Sequence, residues 1–184
     1  MPRFPINAYI FSMHTAFVCV LFVVTTARGD LIETFSVGQG AESAEIQFDF
    51  TNGNTYVYNV HFSGDAITGR DVFDVIINAQ PEFFNFEIQV YDWGQFLTGV
   101  FIGNDADTGD GSEPPYLNYW HYWTAEFENS WEYSMIGFTD RLLENGSRDA
   151  WVFGTDVAPA VVPAPATIFA LPFLLTLTRT RRRA

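Results

Sequence analysis

Between Ala44 and Phe62 polar and apolar residues alternate on either side of an Asn-Gly pair, a pattern that admits few folds. Ala44-Glu45-Ile46-Gln47-Phe48-Asp49-Phe50 places an apolar side chain at every second position, the spacing at which a strand buries one face. Thr51-Asn52-Gly53-Asn54 follows, and Asn-Gly suits the positive φ that a tight hairpin demands. Thr55-Tyr56-Val57-Tyr58-Asn59-Val60-His61-Phe62 is rich in β-branched and aromatic residues and reads as the returning strand. A sheet with at least one covered face is therefore expected.

One helix breaks the β pattern. Thr68 is a candidate N-cap with Asp71 three residues on, and Val72, Val75, Ile76 and Ala79 then share one face before Pro81 ends the run. Phe84–Tyr91 alternates again, and Phe96–Ile102 reads as a further strand. The Gly- and Asp-rich stretch 103–115 reads as a loop. Three aromatic strands are expected next, over Tyr119–Phe127, Trp131–Phe138 and Trp151–Phe153, with Asn145-Gly146 as the turn before the last. Strands do not alternate with helices, so the expected class is α+β: a small mixed sheet with one packing helix. No internal repeat of 20–50 residues is visible.

Charge divides the chain into three parts. Of nine basic residues, all arginine, only Arg70, Arg141 and Arg148 lie among the 22 acids, which run from Asp30 to Asp156. Without its ends the body carries a charge of −19, which favours solubility and opposes binding to phosphate backbones, so nucleic acid is not an expected partner. The whole chain, with 48% hydrophobic and 17% aromatic residues, is nevertheless too apolar for a disordered acidic chain. The single cysteine excludes an internal disulfide.

At the start, Arg3 precedes the apolar run Ala16–Val24 and the small-residue exit Thr25-Thr26-Ala27-Arg28-Gly29. These are the parts of a secretory signal spanning 1–29, with cleavage after Gly29 and, as a rival, after Ala27; a retained anchor or buried helix is the alternative. Its expected partner is signal peptidase. Cys19 would leave with this segment. The body is then 30–157. At the other end Val162-Pro163-Ala164-Pro165 leads into the apolar run Ile168–Thr178 and a closing arginine cluster. The 21 residues from Ala158 to Thr178 are about enough to cross a bilayer as a helix, with the arginines left on the cytoplasmic side.

This order of Pro-containing motif, apolar segment and arginine stop resembles the bacterial PEP-CTERM sorting signal. The resemblance implies handling of residues 158–184 by an exosortase-type enzyme, with Val162, Pro163, Ala164 and Pro165 as the sorting motif. Ala164 stands where that motif carries glutamate, and Pro172 interrupts the apolar part. A simple membrane tail through residues 158–178 is the alternative. Both readings place the body outside the cytoplasm, at the cell surface or beyond.

From Thr55 to Gly154 the order of elements resembles the ligand-binding β-grasp modules related to the C-terminal domain of transcobalamin. The stretches that carry the resemblance are Tyr119-Trp120-His121-Tyr122-Trp123, Trp131–Gly137 and Leu142–Gly154, aromatic strands separated by glycine turns. It implies a β-grasp-like body and a small ligand, cobalamin- or carbohydrate-like. On a strand, Tyr119, His121 and Trp123 point one way and Trp120 and Tyr122 the other. One face must be core; the other is either an aromatic platform or covered as well. Candidate ligand-binding residues are Tyr119, Trp120, Tyr122, Trp123 and Trp131, since flat rings offer apolar area with a polar edge.

Asp105, Asp107 and Asp110 offer hard oxygens close together, a weak candidate set for Ca²⁺ that departs from the EF-hand spacing because Asp110 sits where glycine is required. No other cofactor is expected. The body holds only His61 and His121, without thiol, lysine, Gly-x-Ser-x-Gly or P-loop, so no catalytic residue is assigned and no enzyme is expected. Glu126 and Glu128 share a strand face as a glycosidase pair would, but 22 acids make such pairs arise by chance. The sequence thus points to a surface structural or interaction protein, with a small-ligand module as the alternative.

Overall fold

The computed structural model describes residues 29–126, 129–160 and 162. Among them the main sheet has six strands: β1 (Asp30–Gly38), β2 (Glu42–Asp49), β3 (Asn54–Phe62), β8 (Trp120–Glu126), β9 (Glu132–Tyr133) and β11 (Ser147–Phe153). Their spatial order is β1-β3-β2-β11-β8-β9. The β2–β3 hairpin pairs antiparallel with Asp49 opposite Thr55, and Gly53 takes a φ of 88° in its turn. At the middle, β11 lies parallel to β2 and antiparallel to β8.

The helix α1 (Gly69–Ala79) begins at the expected cap: the Thr68 hydroxyl accepts from the Asp71 N–H at 3.0 Å. Its buried face is Val72, Phe73 and Ile76, while Ala79, expected on that face, is exposed. Short strands β4 (Ile67–Thr68) and β10 (Leu142–Leu143) pair beside the helix start. A separate antiparallel sheet contains β5 (Phe84–Tyr91), β6 (Gly94–Ile102) and β7 (Asp105–Thr108). The mainly β, α+β architecture with mixed sheets and one described helix agrees with the expected class.

The core lies between the main sheet, α1 and the three-stranded sheet. Phe48 is fully buried at its centre, with ring contacts to Phe73 at 5.7 Å, Phe84 at 5.7 Å and Trp120 at 6.3 Å. Alternation puts Gln47, Asp49 and Thr55 on the opposite face, yet they too are buried, because the segment 155–160 returns across it.

Three sequence expectations differ. Residues 105–108 form strand β7 rather than loop, since the side chains of Asp105 and Asp107 accept hydrogen bonds from the β2–β3 turn. The expected strand Trp131–Phe138 is reduced to Glu132–Tyr133, after which Ser134 turns the chain by donating to the Ile136 carbonyl at 2.9 Å. The parallel edge strand β1 had no counterpart in the sequence reading. Residues 1–28 and 163–184, with most of the leader and tail, and Phe127 and Glu128 lie outside the described residues. Among the described residues no helix is long and apolar enough to cross a membrane.

Candidate functional site

Strand β8 brings Trp120 and Tyr122 to the core face and Tyr119, His121 and Trp123 to the other, the division its parity requires. The core face is covered. Trp120 meets Phe50 and Phe153, each at 5.2 Å, and its indole N–H donates to the Asp107 carbonyl at 3.2 Å. Tyr122 stacks on Trp151 at 4.2 Å. Neither ring forms an open platform.

On the other face Tyr119 stacks on His121 at 3.9 Å, and the Tyr119 and Tyr133 hydroxyls are hydrogen bonded at 3.2 Å. His121 Nε2 lies 3.2 Å from the Leu117 carbonyl, which only accepts, so this nitrogen carries the proton. Burial lowers the pKa of the ring, opposed by that backbone bond, and favours the neutral form. Trp123 meets Tyr133 edge-on at 5.2 Å. Trp131 is set apart from these rings, half-buried under the Arg148 guanidinium at 4.5 Å.

The nearest approach to a binding site is a cleft of about 140 Å³ where the two larger sheets meet. Tyr119, Trp120 and Tyr122 line it from β8, with Trp93 and Gln95 from the neighbouring sheet; Trp123 and Trp131 lie outside. Its rim is apolar and open to solvent: Trp93 is 71% exposed and Ile136 52%, with Tyr133 exposed beside them, and the exposed Met135 precedes Ile136 in the chain. Trp93 is held flat against Tyr91 at 4.8 Å and 8°. The Oε1 of Gln95 is buried with no hydrogen-bond partner among the described residues. Apolar side chains gathered at one exposed place mark interaction surfaces more often than isolated ones do.

Sequence reading missed Trp93, Gln95, Met135 and Ile136. A signal existed for Trp93: the sequence Tyr91-Asp92-Trp93-Gly94 puts a large ring at the tip of a tight hairpin, where no core can receive it.

Behind the cleft floor, Asp149 is buried on the core face and accepts a short hydrogen bond from the Tyr122 hydroxyl. Arg141 reaches it at 3.4 Å and binds Glu126 at 2.5 Å, while the Ser147 hydroxyl donates to Glu126 at 2.9 Å. Burial pushes Asp149 up to about 6 despite Tyr122 and Arg141, and Glu126 adds to the rise. This network ties β8 to β11.

The three aspartates proposed as calcium ligands are not brought together as one ligand set. Asp105 accepts from Asn52 at 2.8 Å, Asn54 at 2.8 Å and Tyr56 at 2.7 Å, and Asp107 accepts from the Thr51 amide at 2.8 Å and hydroxyl at 2.9 Å. Burial opposes the charge on Asp105, but these donors outweigh it and lower its pKa; Tyr56 in turn is pushed up to about 12 by burial and by that carboxylate. Asp110 instead closes its own turn on the Ser112 N–H at 3.0 Å. Among the described residues no group of three or more His, Cys, Asp or Glu is placed to hold a metal ion. Of the sorting motif, only Val162 is described. No protein-family model matches the chain, and no curated protein matches it.

Proposed function

We propose that this chain is an exported, surface-targeted bacterial protein whose body is a non-catalytic interaction module of β-grasp type, delivered with a PEP-CTERM-like tail. The observation that carries the interaction role is the solvent-open rim of Trp93, Tyr133 and Ile136 around an aromatic cleft, in a body otherwise strongly acidic. The β-grasp reading draws support from the strand order: a hairpin β3-β2, the last strand β11 inserted parallel beside β2, then β8 and β9, with α1 across one face. On this reading β1 and the β5–β7 sheet are additions.

Fractionating cells that express the full chain or a version ending at Ala160 tests the targeting. The full chain is expected at the membrane or surface and the shortened one released, both without residues 1–29. Equal release of both, each retaining residues 1–29, refutes it.

The buried Oε1 of Gln95, without a hydrogen-bond partner among the described residues, favours a second reading, a small neutral ligand in the cleft. A sugar hydroxyl donates to that oxygen while the ring lies on Trp93. The volume of about 140 Å³ is well below the roughly 300–1,000 Å³ of drug-sized sites and suits one pyranose ring better than a corrin. Titration with methyl glycosides, followed by tryptophan fluorescence, is expected to give a saturable change that Trp93→Ala abolishes. A flat titration across neutral hexosides removes this reading.

A further inference from the structure

The face of the main sheet opposite α1 carries polar groups that the proposed function leaves unused. Gln47 and Asp49 are two apart on β2 and so share this face, and Thr55 stands opposite Asp49 on β3. All three are almost completely buried. Asp49 accepts from the Gln47 amide at 2.8 Å, the Thr55 hydroxyl at 2.8 Å and the backbone N–H of Ala160 at 2.7 Å. The Gln47 amide also donates to the Ala160 carbonyl at 2.9 Å. Both main-chain groups of one residue are thereby gripped by side chains 111 and 113 positions away in sequence.

A buried carboxyl is costly, and burial raises the pKa of Asp49 against the pull of Ala160, Gln47 and Thr55. Such an expense is out of proportion to tying down a loose end. Pro159, just before the gripped residue, is buried as well. The start of the body lies at the same pole: the Asp30 N–H donates to the Gly53 carbonyl at 2.9 Å, and Gly53 and Ala160 line one cavity. That cavity, of about 260 Å³, is lined also by Phe50, Val152 and Val157.

We infer that Gln47, Asp49 and Thr55 form a docking clamp for the main chain of the segment 155–160, which holds the start and the exit of the body side by side at one pole. The occupant is the chain's own exit segment, recognised through its backbone rather than its small side chains. Residues 162–165 then lie two to five positions past a fixed point, at most ~7 to ~18 Å of extended chain from the body. An enzyme that acts on that stretch must work against the face that holds the clamp. This last consequence rests on the export reading; the clamp itself rests on the contacts alone.

Hydrogen exchange on the full-length chain in detergent micelles tests it. The Ala160 amide is expected to be protected in the unaltered chain, and Asp49→Asn is expected to reduce that protection by roughly tenfold or more, the weight of a charge-assisted hydrogen bond. Ala160→Pro removes the donor while leaving every buried residue of the sheet in place. It is expected to let proteinase K cut between 155 and 162 faster, with the melting of the body retained. An Ala160 amide that exchanges freely in the unaltered chain, or unchanged cleavage in Ala160→Pro, overturns the clamp. Absence of tail processing in cells leaves these rates as they are and counts against the export reading instead.

Discussion

Replacing Asp149 with asparagine removes a carboxyl that sits under Tyr122 and between β8 and β11 at only 2% exposure. Its pKa stands at about 6 in the fold against 3.8 ordinarily, with burial as the main cause. The folded chain therefore holds a proton that the unfolded chain has released at every pH between these values. Stability from this group is full below the ordinary value and is lost as pH rises to about 6. At about 1.4 kcal/mol per pH unit the loss totals about 3 kcal/mol, of which about 2 falls between pH 4.5 and 7.5. Arg141 and Glu126 face the same carboxyl, and both remain in the Asp149→Asn chain. Urea unfolding of both chains across this range isolates the contribution, since titrating groups away from Asp149 cancel in the difference. The unaltered chain is expected to lose about 2 kcal/mol relative to the variant as pH rises from 4.5 to 7.5. A difference that stays constant, or that moves the other way, refutes the assignment of a buried, protonatable Asp149.

Phe48→Ala, which empties the centre of the ring cluster, is expected to cost about 3–5 kcal/mol in denaturant unfolding. Thr68→Ala removes the acceptor for the Asp71 amide and should cost about 1 kcal/mol by the same measurement. Asp107→Ala breaks both hydrogen bonds from Thr51 and should lower stability by about 1–2 kcal/mol. Because donors from the β2–β3 turn already occupy the carboxylates of Asp105 and Asp107, melting should be the same in calcium as in chelator.

The hairpin was legible because its signals are local: alternation over Ala44–Phe50, a turn that needs glycine, and β-branched return residues. The helix start was legible for the same reason, through a cap three residues long in reach. Strand β1 was not, because it lies at the sheet edge and buries little beyond Val37, so no strong alternation marks it. Strand β7 was hidden by its composition: Asp105 and Asp107 look like solvated loop residues until the distant turn residues Thr51, Asn52 and Asn54 supply their partners. For the aromatic cluster the parity of β8 could be read, but which side faced inward depended on where α1 and β5–β7 come to rest. The rim of the cleft depends on two segments some 40 residues apart, around Trp93 and Ile136, and so had no local trace beyond the hairpin tip.

The neighbour relation of β11 has a consequence for how the body is made. Its partner β2 is among the first strands to be synthesised, and β11 among the last, so Phe48 meets Trp151 only when almost all of the body exists. Until then the hairpin has one flank unpaired and the sheet has no middle. Pairings between such remote stretches are slow to form and hold a nascent chain back from premature compaction. The main sheet is therefore complete only once β11 takes its place between β2 and β8.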